Sequence, residues 1–334
     1  MIFDLSFIFA GIIAFAVLTY VVLDGFDLGI GILFPLATDH KERGLMMNTV
    51  APVWDGNETW LVLGGGGLFA VFPLAYAVVM PALYIPIILM LLALVFRGVG
   101  FEYRWRSERW QPLWDTAFFG GSLVATFMQG VALGALVQGI EVEGRAYAGG
   151  WWDWLSAFSI GTGVALVLGY GLLGATWLVM KTEGPLRDQM RRLAIKLGAG
   201  TLIAIGAVSL VTPFLHPQYL GRWFTFPAAW YSAAVPLLLL VAAALLFDGL
   251  RKGKDVQPFL AAQSLFVLSF IGIGISFYPY MVPPNLTIAE AAAPDESLRF
   301  ILVGAVVLVP IILAYTAYAY WVFRGKIDPE EGYH

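Results

Sequence analysis

Apolar residues in this chain run in long blocks separated by short polar stretches. A bilayer core of about 30 Å needs about 20 consecutive apolar residues per helix. Nine blocks answer to that length, at roughly 5 to 35, 50 to 72, 76 to 101, 114 to 139, 153 to 181, 193 to 215, 226 to 250, 258 to 280 and 299 to 323. The pattern predicts an all-α, polytopic membrane protein whose single integral domain covers 1 to 334. The first block follows Asp4, with no preceding Lys or Arg and no small-residue cleavage site. It therefore reads as a retained helix rather than a signal peptide.

Lys and Arg favour cytoplasmic loops. With the N-terminus outside and nine crossings, the inner side holds Lys41, Arg43, Arg97, Arg104, Arg106, Arg109, Lys181, Arg187, Arg191, Arg192, Lys196, Arg251, Lys252, Lys254, Arg324 and Lys326, which is 16 of the 19 cations. Only Arg145, Arg222 and Arg299 fall outside. A missing or extra span would scramble this alternation, so the skew supports nine spans, N-terminus out and C-terminus in. Trp105, Trp110 and Trp114 on the inner side, and Trp151, Trp152, Trp154, Trp223 and Trp230 on the outer side, fit interfacial belts or ordinary packing.

Composition narrows the function classes. Of 334 residues, 60% are hydrophobic and 13% charged, with a mean hydropathy of +0.79. An ordinary soluble domain carries roughly 25% charged residues, so a soluble globular protein is excluded. The absence of Cys removes disulfides, zinc-thiolate sites, Fe–S clusters and thiol catalysis together. A net charge of −4 without a basic patch argues against nucleic acid. His40, His216 and His334 lie outside every predicted span, so this chain is not expected to build a bis-His haem in the membrane, and its Met residues read as core filler. No phosphate-binding loop, dinucleotide fingerprint or hydrolase elbow is present.

The few polar groups inside the spans then matter most. Asp24 and Asp27 share one face of the first helix, and Asp55 and Glu58 repeat the spacing at the start of the second. The antiparallel hairpin brings both pairs to the inner side, where Arg97, with Glu102 a turn and a bit further on, ends the third helix as their counter-charge. A charge at mid-bilayer costs roughly 2.5 to 3.5 kcal/mol, so these groups are expected to face the interior or water. Crowded carboxyls in a low dielectric suit proton loading and release near neutral pH. Two readings stay open: proton uptake from the cytoplasm, or an interfacial cap pairing acids with Arg97 and helix ends. No His accompanies either acidic pair, so a di-iron or other metal site is not expected. Gly64 to Gly67 permit close helix approach, and Thr126, Gln129 and Gln138 mark the fourth helix as interior or a subunit contact.

These residues also carry a resemblance. Leu23 to Gly31 (LDGFDLGIG), Ala51 to Trp60 (APVWDGNETW), Phe96 to Arg104 (FRGVGFEYR), Trp114 to Gly121 (WDTAFFGG), Phe277 to Thr287 (FYPYMVPPNLT) and Val307 to Trp321 (VLVPIILAYTAYAYW) are similar to subunit II of cytochrome bd-type quinol oxidases. Short loops in the middle of the chain resemble the compact, cyanide-insensitive type. The resemblance implies two four-helix bundles plus a peripheral ninth helix, packed against a subunit I that holds two haem b, one haem d and the quinol site. It implies a haemless subunit of an electrogenic complex in the bacterial cytoplasmic (inner) membrane that oxidises quinol and reduces O2 to water. Some members add a small single-helix subunit, and some hold a quinone on this subunit. Proton-path roles are implied for Asp24, Asp27, Asp55, Arg97 and Glu102; Glu58 stands where some members have Gln, and Trp60 is implied beside the O2 route. The rival readings are a proton-coupled secondary transporter, for which no matching pair of broken helices is found, and a purely structural membrane scaffold.

Overall fold

The expected apolar blocks fold as helices because lipid leaves backbone N–H and C=O groups no partners but their own. The structure, a computed structural model, describes residues 4–106 and 108–327; His334 lies outside the described residues. Asp4 caps α1 (Leu5–Leu33), and Asp39 caps the short α2 (His40–Asn48). Then come α3 (Trp54–Val71), α4 (Pro73–Ala82), α5 (Tyr84–Tyr103) and α6 (Gln111–Gln138). A small hairpin, β1 (Val142–Glu143) and β2 (Ala146–Tyr147), leads to α7 (Ala157–Lys181), whose start is a capping box between Ser156 and Ser159. The second half holds α8 (Gly184–Val211), α9 (Pro217–Phe224), α10 (Ala228–Arg251) and α11 (Val256–Phe277). A second hairpin, β3 (Tyr280–Val282) and β4 (Leu286–Thr287), and a single turn, α12 (Ile288–Ala291), precede α13 (Asp295–Val322).

Among the described residues, eight helices are long and apolar enough to cross a membrane. The expected second block falls short because α3 opens on Asp55, Asn57 and Glu58, which dilute its apolarity over only 18 residues. The expected third block is broken at Leu83, between the prolines Pro81 and Pro86, into α4 and α5.

α1 lies at the centre, packed against α3, α6, α7 and α11. Its C-terminal half approaches α7 with almost no side chain between them. A Cβ at Gly174 would meet the Ile30 nitrogen at 2.7 Å and the Gly29 carbonyl oxygen at 2.9 Å. Small residues make this crossing possible, as in membrane helix pairs generally. Beside it Phe26 stacks on Trp177 with ring centroids 4.1 Å apart, and Phe259 closes the cluster edge-on. The glycine run on α3 divides: Gly64 and Gly67 face Val17 and Ile13 of α1, whereas Gly65 and Gly66 face open space. The tryptophans divide as well. Trp110, Trp151, Trp152 and Trp230 are exposed, while Trp154 is buried and packs as core.

α13 packs lightly on the rest of the fold, with Ile301, Leu302, Ile312 and Leu313 against the core, and its polar ties lie at its ends. Before it, the Ala293 N–H donates to the Val71 carbonyl, and Leu298 is buried. After it, Lys181 Nζ donates to the Phe323 carbonyl at 2.6 Å, and Lys326 Nζ reaches Asp255 at 3.0 Å and the Thr182 carbonyl at 3.1 Å. Asp255 also accepts from Arg187. Partial burial opposes ionisation of Asp255, but hydrogen bonds from Arg187 and Lys326 outweigh it and hold the carboxyl below its ordinary value. A depressed folded value gives stabilisation that is complete above the unfolded value, near 4, and is lost as pH falls through the folded value. Thermal melts of the detergent-purified protein between pH 5 and 2 are expected to show this loss, and Asp255→Asn to flatten that part of the curve by up to about 1 kcal/mol, the scale of a partly exposed pair.

Candidate functional site

Three helices bring the polar groups of the membrane-spanning region together. Asp24 and Asp27 lie on the inward face of α1, and both are fully buried. Asn57 and Glu58 project from the first turns of α3, and Arg97 comes from α5 at 1% exposure. Arg97 Nη1 stands 3.1 Å from Asp24 Oδ1 and also donates to Glu58 Oε1, so one guanidinium joins α1, α3 and α5. The Trp54 ring lies 5.7 Å from the guanidinium carbon, adding a cation–π contact.

Asp27 is served differently. Asn57 Nδ2 donates to Asp27 Oδ2 at 2.7 Å, and the Tyr320 hydroxyl of α13 donates to Asn57 Oδ1 at 3.0 Å. Three carboxyls thus share one buried cation and one amide. Neither Asp24 oxygen, nor Oδ1 of Asp27, accepts a well-formed hydrogen bond. Buried polar atoms are ordinarily satisfied, so these lone pairs are open to a proton donor.

Exposure is graded along the cluster. Asp55, in the first turn of α3, is exposed, the Glu58 side chain is 26% exposed, and the Asp24 side chain is 0% exposed. Among the described residues no cation lies within ion-pair distance of Asp55. Glu102 is half-buried and does not join the cluster. Five residues after Arg97, it is turned about 140° round the helix from it. Trp60 is 1% exposed, edge-on to Phe15 at 6.0 Å and packed beside Ala16 and Tyr20.

Asn57 and Tyr320 were not among the sequence candidates. Asn57 sits inside the quoted APVWDGNETW stretch, so its placement beside two acids is the signal that points to it. A second buried ionic group was also not anticipated. Asp115 accepts from Arg104 Nε at 2.6 Å and from Arg43 Nη1 at 2.9 Å, tying α2 and the end of α5 to α6. Arg104 is 5.6 Å from the Phe34 ring centre and 5.2 Å from that of Trp105, so aromatic faces sheathe its charge.

Among the described residues, no three His, Cys, Asp or Glu side chains are placed to hold a metal ion. His40 is exposed at the start of α2, and a His216 ring nitrogen meets the Gln138 carbonyl at 2.7 Å.

The sequence matches the family model described as cytochrome bd terminal oxidase subunit II over residues 5–323. It is 32% identical over 367 aligned positions to cytochrome bd-I ubiquinol oxidase subunit 2 of Escherichia coli K12, covering 98% of this chain and 96% of the relative. Cytochrome bd ubiquinol oxidase subunit 2 of Bacillus subtilis is 30% identical, with 98% and 97% covered. The fold is similar to a chain in the structure of bd oxidase from Geobacillus thermodenitrificans, with a TM-score of 0.76 at 17% identity over 95% of this chain and 98% of that one.

Proposed function

Because the chain belongs to the cytochrome bd terminal oxidase subunit II family, we propose that it is the haemless subunit of a quinol:O2 oxidoreductase and supplies the cytoplasmic proton path. The partner, subunit I, would hold two haem b and one haem d, which supply the electron transfer and oxygen chemistry; a bound quinone and a small single-helix subunit are compatible additions. The observation that carries the proton path is the gradient from exposed Asp55 through Glu58 to buried Asp24, with Arg97 as the fixed charge.

Each residue has a role that its chemistry allows. Asp55 exchanges protons with the cytoplasm, and Glu58 passes them inward. Arg97 stays charged under all conditions in proteins and so orients both carboxyls without itself accepting the proton. Asp24 receives the proton on a carboxylate oxygen, and Asp27, held by Asn57, is the next acceptor. Glu102 lies further back on α5 and acts at the cytoplasmic mouth. Trp60, in its apolar setting beside Phe15, lines the approach of O2.

For the architecture we adopt nine crossings, as two four-helix bundles and a peripheral ninth, with the N-terminus outside. The 18 residues of α3 rise about 27 Å, close to the hydrocarbon thickness. The inner side then carries most of the Lys and Arg, as bacterial inner-membrane proteins do. The transporter and scaffold readings differ in one outcome: purification in mild detergent is expected to yield a haem-coloured complex with subunit I, and a colourless, self-sufficient protein would support those rivals instead.

Asp24→Asn in the intact complex is expected to leave haem content normal and to slow O2 consumption at least tenfold, the scale of a lost proton-transfer group. Asp55→Asn is expected to slow it severalfold less, because bulk water reaches the neighbouring Glu58. Loss of haem and subunit I in both variants would favour a structural cap, and unchanged turnover in both would remove the proton path.

A further inference from the structure

Two hydrogen bonds run from Tyr20, a close neighbour of the carboxyl cluster, to α6 and α7. Tyr20 stands one turn before Asp24 on α1, and its hydroxyl is near enough to interact with the Asp24 carboxyl. Gln129 Nε2 of α6 donates to that hydroxyl at 2.7 Å, and the Tyr170 hydroxyl of α7 donates to Gln129 Oε1 at 3.1 Å. Tyr20 and Tyr170 are buried, at 3% and 0% exposure. Three helices are therefore connected through one amide in the interior.

The direction of these bonds is fixed by what each group needs. A carboxylate only accepts, an amide has one accepting and one donating end, and a phenol does either. If Tyr20 gives its proton to Asp24, its oxygen must receive one from Gln129, whose carbonyl then takes the Tyr170 proton. The reverse orientation turns the Tyr20 proton away from a neighbouring buried carboxylate that accepts no well-formed hydrogen bond, which is costly.

We infer that Gln129 is a positioning residue for proton delivery: held by Tyr170, it keeps the Tyr20 hydroxyl proton pointed at Asp24 and so sets the state in which Asp24 receives protons. This rests on the proton path proposed above. An amide passes a proton on only through its unfavourable imidic acid form, so the chain orients Tyr20 without opening a second path toward α7.

The test uses the purified complex with subunit I. Gln129→Glu keeps the size of the side chain but accepts from Tyr20 instead of donating to it. Gln129→Met and Tyr20→Phe remove the bond with little change of volume. All three are expected to keep haem content and the quinol KM within about twofold and to lower kcat about tenfold, the pattern of a group acting after substrate binding. The carboxyl C=O band in the redox difference infrared spectrum that Asp24→Asn removes is expected to be displaced in each. Tyr170→Phe is expected to act in the same direction and less strongly. Unchanged kcat and an unmoved band in Gln129→Met and Tyr20→Phe, with Asp24→Asn still slow, would overturn the role of Gln129 alone. Wild-type turnover in Asp24→Asn as well would overturn the proton path on which it rests.

Discussion

Arg97→Leu is expected to reduce the yield of haem-containing complex at least tenfold. The substitution leaves Asp24 and Glu58 without their shared cation, and Asp24 is fully buried. Removing one partner of a buried ion pair typically costs about 3 to 5 kcal/mol, because the remaining charge is neither solvated nor paired. A membrane helix carrying such a charge is also less willing to stay in the interior. Arg97→Lys keeps the charge but lacks the planar fork needed to serve α1 and α3 at once, so an intermediate yield is expected. The triple variant Arg97→Leu, Asp24→Asn, Glu58→Gln removes the mismatch and is expected to recover most of the yield while remaining inactive. Haem absorbance per unit of membrane protein reads all three, and wild-type yield from Arg97→Leu would show that the guanidinium does not hold the helices together.

Gly29→Val is expected to be equally damaging for a steric reason. A Cβ there collides with the backbone carbonyl of Tyr170, which cannot rotate away as a side chain would. Overpacking in a core commonly costs about 1 to 3 kcal/mol when side chains can adjust, and more when they cannot. The two helices must separate, which loosens the Phe26–Trp177 stack and moves Asp24 and Asp27 away from their partners on α3 and α5. Gly11→Val, on the same helix but with open space around it, is expected to assemble normally. The measurement is the melting temperature and haem content of each variant after the same purification.

Sequence and structure agree where physical demands are long-range and repetitive. A bilayer asks for apolar runs of one length, so α1, α6, α7, α10, α11 and α13 are readable within a few residues, whereas α8 starts nine residues before its expected block, on a charged turn that apolarity does not reveal. α3 is harder, since Asp55, Asn57 and Glu58 make its first turns as polar as a loop. α2, α9 and the hairpins are too short to leave a periodic signal. Within the site, the antiparallel pairing of the first two helices is enough to bring Asp24, Asp27 and Glu58 to one side and to name Arg97 as their partner. Asn57, Tyr20, Gln129, Tyr170 and Tyr320 are different: a neutral polar or aromatic residue in a helix looks like ordinary packing until a distance shows what it touches. The separation of Glu102 from the cluster follows from helical geometry, since a spacing of five places two side chains on different faces.

The manner in which α13 is held bears on how the molecule is made. Translation releases the chain from its N-terminus, so α1, α3 and α5 can meet before α13 leaves the ribosome. Tyr320 then has not yet reached Asn57, whose amide can already serve Asp27. When the last helix docks, its Tyr320 hydroxyl adds a hydrogen bond to the Asn57 that serves Asp27. The partners of Asp24 and Asp27 on α5 and α3 all precede α13 in the chain, so neither carboxyl depends on the last helix for its first partner.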